Sequence, residues 1–173
     1  MSPRIEARRP VVIVEYNPAW PQRFASEQQH LQAALGSRLL ALEHIGSTAV
    51  PGLAAKPILD LLGGLRRLED YQSCLEPLRK LGYEYVAEFS ADIPDRRFFR
   101  KIRGRHWTHH LHMVEFDGAT WRRHLRFRDL LRHDPALARR YVELKETLAA
   151  RFGADRDRYT DGKTGFIEAA LRG

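Results

Sequence analysis

The stretch Glu43–Leu62, EHIGSTAVPGLAAKPILDLL, does most to limit the fold of this chain. Two short apolar runs, Leu39–Ile45 and Pro57–Leu62, have strand length, and the loop between them, GSTAVPG, is punctuated by Gly and Pro. A strand therefore delivers a Gly-Ser turn, and a second strand follows after a tight connection. Ile58, Asp60 and Leu62 should share one face of that second strand, with Leu59 and Leu61 on the other. An Asp inside an apolar strand is costly to bury unless a cation or a hydrogen-bond donor meets it.

Elements of both kinds surround this core. Val11–Glu15 reads as a strand, and Asn17-Pro18 as a cap and first turn for a helix carrying Trp20, Phe24, Leu31 and Leu35 up to Gly36. Glu69–Leu81 reads as a helix, although Pro77 sits inside it. Tyr83–Val86, Arg97–Ile102 and Trp107–Phe116 read as strands, the last two forming a hairpin around Gly104. Beyond Gly118 the pattern is wholly helical: Thr120–Arg132, then a helix started by Asp134-Pro135 and running to Gly153, then Thr160–Leu171 weakened by Gly162 and Gly165. The expected class is α/β (α+β), a sheet with helices against it and an all-helical tail over residues 119–173, read as one domain over residues 1–173.

Composition narrows the function. One Cys excludes a disulfide framework within the chain and a cysteine-based zinc ribbon. No apolar run approaches the roughly 18–20 residues of a membrane span, and MSPRIEARRP lacks the apolar stretch of a secretory leader, so a cytoplasmic protein is expected. The net charge of +7 is uneven: Arg96–Arg132 holds 11 basic and three acidic residues and five of the eight His. Such a field suits an anionic ligand, a nucleotide or a nucleic-acid backbone; its plain alternative is a solvated face. Nucleic acid is the poorer fit, because no reading helix or stacking strand is recognisable. Oligomeric state is not legible.

Site chemistry concentrates where the sheet is expected. Gly46 permits close backbone approach, and Ser47 with the amides after it, Thr48 first, can donate to phosphate oxygens. Together with Asp60 these are the minimum for a magnesium–nucleotide site. His110 and His112 lie at i, i+2 on one strand face and could reach the same place as Asp60, a set suited to a transition metal. Lys56, four residues before Asp60, could neutralise phosphate. Arg97 shares a face with Phe99 and Lys101 and Arg100 lies opposite; the sequence does not say which set meets the site. Trp121, His124, Arg128 and Arg132 form one helical stripe that could cap a base and phosphate, or pair with acids such as Asp129 or Glu143. His106 and His109 read as loop-orienting groups and His30 and His133 as surface. Cys74 reads as packing. His110-Leu111-His112-Met113-Val114 lacks the third His of a histidine-triad hydrolase, and His106-Trp107-Thr108 has no second copy for a two-histidine phosphoesterase.

HIGSTAVPGLAAKPILDLL resembles the signature of the GrpB family, a branch of the nucleotidyltransferase superfamily. The resemblance extends through EYNPAWPQRF, RRFFRK, HHLHMVEF, WRRHLRFRDLLR, YVELKETLA and DRDRYTDGKTGFIEAAL. It implies a nucleotidyltransferase-like mixed β-sheet flanked by helices. Gly46 and Ser47 match the element that holds nucleotide phosphates, and Asp60 matches the first carboxylate of an Asp-x-Asp/Glu pair that binds magnesium or manganese. Tyr159 and Lys163, at i, i+4, match the tail motif and would close over the cleft. The second carboxylate position is Leu62, a departure that bears on two-metal transfer. Three functions follow: metal-dependent nucleotidyl transfer from an NTP, with Asp60 and His112 among the metal ligands; a non-catalytic nucleotide-binding module; or a His/Asp metal phosphohydrolase. The implied partner in each is a phosphorylated small molecule.

Overall fold

A computed structural model describes residues 10–91, 93–104 and 106–173; the stretch read above for a leader lies largely outside them. In chain order the elements are α1 (Trp20–Leu35), β1 (Ala41–Ile45), β2 (Leu59–Leu65), α2 (Leu75–Lys80), β3 (Tyr83–Tyr85), α3 (Ala87–Ala91), β4 (Arg97–Arg103) and β5 (His106–Glu115). Four helices follow: α4 (Ala119–His133), α5 (Pro135–Phe152), α6 (Arg156–Asp161) and α7 (Thr164–Arg172). This is the expected mixture of sheet and helix with a helical C-terminal part.

The sheet has the order β1-β2-β5-β4-β3, with β2 and β5 parallel and every other pair antiparallel. Strand alternation sorts its side chains. Leu61 and Leu65 of β2, Phe99 of β4, and Leu111 and Met113 of β5 face one way and pack with Leu31 and Leu35 of α1 and Leu78 of α2. Leu62, Val114 and Ile45 face the other way and meet Trp121 of α4. Asp60, His110 and His112 share this second face by parity with Leu62 and Val114. The loop after β1 is held from outside, because Val50 and Leu53 pack with Leu131, Leu137 and Tyr141 of α4 and α5. The C-terminal helices thus form the outer wall of a cleft whose floor is the β1–β2–β5 end of the sheet.

Four elements differ from their sequence patterns. Val11–Glu15 makes no ladder; only Val14 pairs, with Ala55, while Val11 and Leu148 and Tyr159 form a small cluster. The first helix starts at Trp20: Asn17 accepts the Ala19 N–H at 2.9 Å and spends two further residues in the turn. Glu69–Leu81 divides into a 3-10 turn, Leu68–Cys74, and α2, with Pro77 confined to the first turn of α2 where its missing N–H costs nothing. The last expected helix breaks at Gly162 into α6 and α7. A Cβ there would lie 2.5 Å from Leu148 Cδ2, so a larger residue would have to displace the Leu148 side chain where this turn sits against α5. Asp134-Pro135 starts α5 as read, with the Asp134 carboxylate accepting from the N–H groups of Ala136 and Leu137.

Candidate functional site

Asp60 stands at the centre of the cleft. Gly46, at φ 70°, brings the turn so close that a Cβ would lie 2.7 Å from Asp60 Oδ2. Glycine is needed twice there, for the left-handed backbone and for the carboxylate pressed against it. The close approach anticipated for a ligand is therefore made by Asp60 itself. The turn continues as a 3-10 segment, Ser47–Ala49. Thr48 is buried and its Oγ1 lies 2.9 Å from His44 Nε2, whose ring stacks on Phe24. Thr48 thus fixes the turn, and Ser47 is the hydroxyl left facing the cleft wall.

Both expected histidines reach Asp60. His110 Nδ1 lies 3.2 Å and His112 Nε2 3.5 Å from Asp60 Oδ1. Burial pushes the Asp60 carboxyl up, but the hydrogen bonds from His110 and His112 outweigh it and hold the group well below the usual carboxylate range. His112 is itself lowered by burial, against the pull of Asp60. Behind it His124 of α4 lies with ring centroids 5.7 Å apart and is held down to about 3, chiefly by burial and then by His112.

The outer wall brings three lysines together. Lys145 of α5 is 2% exposed and donates to Ser47 Oγ at 3.0 Å and to the Ala54 carbonyl. Lys56 and Lys163 lie 5.1 and 4.7 Å from the centroid of the Tyr159 ring, and Lys145 lies 5.0 Å from that of Tyr141. Among the described residues no carboxylate forms an ion pair with any of the three. Burial and the neighbouring ammonium groups push Lys145 down to about 7 and Lys163 to about 8, and burial also lowers Lys56. Asp60 opposes the fall for Lys56 and Lys163, which places it in their field. Arg156 adds to that field at Lys56, and its guanidinium lies 4.7 Å from the Trp107 ring, beside His110.

The site residues read from sequence thus divide. Gly46, Ser47, Lys56, Asp60, His110, His112, Tyr159 and Lys163 converge on one cleft. Arg97 does not: it is paired in register with Met113, on the face opposite the histidines, and packs on Tyr71 while donating to the Pro94 carbonyl at 2.7 Å. Arg100 is the residue on the site face, opposite His110 in register, but it is bound to Glu84 at 3.1 Å. The α4 stripe packs Trp121 and His124 against the sheet, and its polar ends are engaged in the fold. Arg128 bridges Glu43, Asp129 and the His44 carbonyl, and Arg132 donates to the Ala49 carbonyl. Lys145 was missed; its signal was a lysine one turn after Tyr141, on the buried stripe of α5.

As placed, these residues do not form the two-metal centre that an Asp-x-Asp/Glu strand supports. Leu62 is fully buried at the second carboxylate position, and one oxygen of Asp60 is shared by two histidine N–H groups. No cluster of three His, Cys, Asp or Glu side chains suited to a metal ion is present among the described residues. The fold and cleft define a class: a mixed α/β protein whose helical C-terminal part closes a cationic wall over a single strand carboxylate.

The chain belongs to the GrpB family, whose profile (GrpB protein) matches residues 10–172. The crystal structure of the conserved protein GrpB from Enterococcus faecalis superposes with a TM-score of 0.83 at 40% identity, covering 93% of this chain and 95% of that one. UPF0157 protein PA4798 of Pseudomonas aeruginosa is 43% identical over 93% of this chain and 66% of its own length. UPF0157 protein YqkA of Bacillus subtilis is 39% identical over 94% of this chain and 47% of its own length. The chain therefore spans about half to two thirds of the length of these two UPF0157 proteins. A dephospho-CoA kinase of Mycolicibacterium paratuberculosis is 30% identical over 99% of this chain and 48% of its own length. Among the described residues no helix is long and apolar enough to cross a membrane.

Proposed function

We propose that this protein binds a nucleotide or a similarly phosphate-rich small molecule in the cleft between the Gly46–Thr48 turn and the wall formed by α5–α7. One observation carries the reading: Lys56, Lys145 and Lys163 converge there without a carboxylate partner among the described residues. Burying uncompensated ammonium groups is costly, and a polyanion removes that cost by supplying the missing countercharge. Lys56 comes from the loop before β2, Lys145 from α5 and Lys163 from the turn between α6 and α7, so the folded arrangement is needed to create the site.

The metal-dependent transfer implied by the family resemblance is the finer reading, and the binding experiment addresses it directly. ATP, GTP, CTP, UTP, inorganic tripolyphosphate and fragments of coenzyme A are titrated calorimetrically, each with EDTA, magnesium or manganese. The kinase named among the relatives is the reason for including the coenzyme fragments. Expected is binding that survives EDTA and falls at least tenfold in Lys145→Met and in Lys163→Met. No binding by any of these compounds, or binding indifferent to both substitutions, refutes the proposal. A requirement for magnesium or manganese, with product formed, instead supports the transfer reading.

A further inference from the structure

The two histidines on Asp60 are bonded differently, and hydrogen-bond chemistry separates their roles. A carboxylate only accepts, so the ring nitrogen facing Asp60 carries a hydrogen in both cases. For His112 that nitrogen is Nε2, and its Nδ1 lies 3.3 Å from the guanidinium Nη1 of Arg96, which can only donate. His112 is thereby a neutral ring with both nitrogens engaged. For His110 the nitrogen facing Asp60 is Nδ1, so in the neutral ring the lone pair lies on Nε2. His110 Nε2 is buried and has no hydrogen-bond partner among the described residues. Leaving such a group unmet is a cost that a phenyl ring in the same place would not bear.

A carboxylate behind Nδ1–H and a bare Nε2 in front is the arrangement that orients an imidazole for attack. The surroundings select the electrophile. Trp107 meets the His110 ring at 5.9 Å and carries Arg100 and Arg156 at 5.0 and 4.7 Å, and Arg156 in turn adds to the field at Lys56. Trp107 and Arg156 therefore connect the His110 ring to the surroundings of Lys56.

We propose that His110 Nε2 is a nucleophile that accepts the terminal phosphoryl group of the bound polyphosphate, with Asp60 as its positioning residue. The proposal rests on the ligand reading above. The Nε2 lone pair forms a bond to the terminal phosphorus, and the bridging P–O bond breaks. Its electron pair leaves on the oxygen of the nucleoside diphosphate, whose charge the lysines meet. The Nδ1 hydrogen stays in place, donating to Asp60 while the ring carries positive charge. Water then attacks phosphorus, the N–P electrons return to Nε2, and the proton of the water leaves with phosphate or solvent.

The test uses ATP labelled at the γ- or the α-phosphate, in EDTA and in magnesium, with alkaline quenching to preserve phosphohistidine. Expected is acid-labile label from γ-labelled ATP alone, mapped to His110, abolished in His110→Gln and at least tenfold lower in Asp60→Asn. His110→Gln should still bind ATP in the calorimeter. Long-range proton–nitrogen NMR spectra should show a protonated Nδ1 and a bare Nε2 for His110. Binding of ATP by the wild type without any label on His110 overturns this proposal alone. Label from the α-phosphate overturns the choice of phosphorus, and the opposite tautomer overturns the geometry. Absence of ATP binding overturns both this proposal and the one it rests on.

Discussion

Replacing Lys145 with Met should make the fold more stable while removing its response to polyphosphate. In the folded chain the amine is held near about 7, against an ordinary 10.5, mainly by burial. The unfolded chain keeps its proton up to the higher value. Between these two pH values the unfolded state binds more protons, so wild-type stability rises with pH across that window and is lowest below it. At ~1.4 kcal/mol per pH unit the buried ammonium costs at most about 5 kcal/mol at pH 7. Met keeps an unbranched chain in the same space, but Ser47 Oγ and the Ala54 carbonyl lose their donor, a loss of about 1–3 kcal/mol. The net gain should be about 1–3 kcal/mol, or roughly 3–10 °C in Tm for a chain of this size. Scanning calorimetry at pH 7 and pH 10, with and without tripolyphosphate, reads both parts. The gain should shrink at pH 10, and tripolyphosphate should no longer raise Tm. A variant less stable than wild type at pH 7, or one still stabilised by tripolyphosphate, would refute the reasoning.

Three further outcomes follow from other parts of the fold. Gly46→Ala places a Cβ 2.7 Å from Asp60 Oδ2 at a left-handed φ and should cost roughly 2–5 kcal/mol in urea denaturation. Lys101→Met leaves the buried Glu27 carboxylate with Tyr83 as its remaining close donor and should cost about 3–5 kcal/mol, whereas Glu76→Gln, which opens a surface pair, should shift the urea midpoint little. Burial holds His44 and His109 near about 4 and His124 near about 3, all neutral in the fold. The unfolded chain takes up their protons from about pH 6.5 downward, so stability should be complete above that pH and fall from 6.5 towards 4. Urea midpoints measured from pH 8 to pH 4.5 check this, and His124→Phe should flatten part of the fall.

The sheet and the helical C-terminal part were legible because apolar runs of strand length and helical stripes are local properties of the chain. The same holds for the Asp134-Pro135 start of α5 and for the shared face of Asp60 with His110 and His112, which follows from strand parity once β2 and β5 are neighbours. Val11–Glu15 was over-read, since a strand pattern becomes a strand only where a neighbour supplies a ladder, and only Ala55 does so. The charge-rich segment Arg96–Arg132 was likewise a partial guide. Its Arg100, Arg122 and Arg128 are tied to Glu84, Asp117 and Glu43. The three lysines gathered around Tyr159 and Ser47 (Lys56, Lys145 and Lys163) lie outside it in sequence.

By itself the sequence determined the class of fold, the turn–strand signature and the carboxylate at its centre, because spacing and residue type decide these within a few turns of chain. Tertiary structure alone decided which charges are spent and which are free to act. Pairing depends on which residues of distant elements meet: Arg128 meets Glu43 across 85 residues, and Lys145 meets Ser47 across 98. It also decided that Asp60 meets both His110 and His112 through one oxygen, by Nδ1 of the first and Nε2 of the second, because that depends on how β2 and β5 lie side by side.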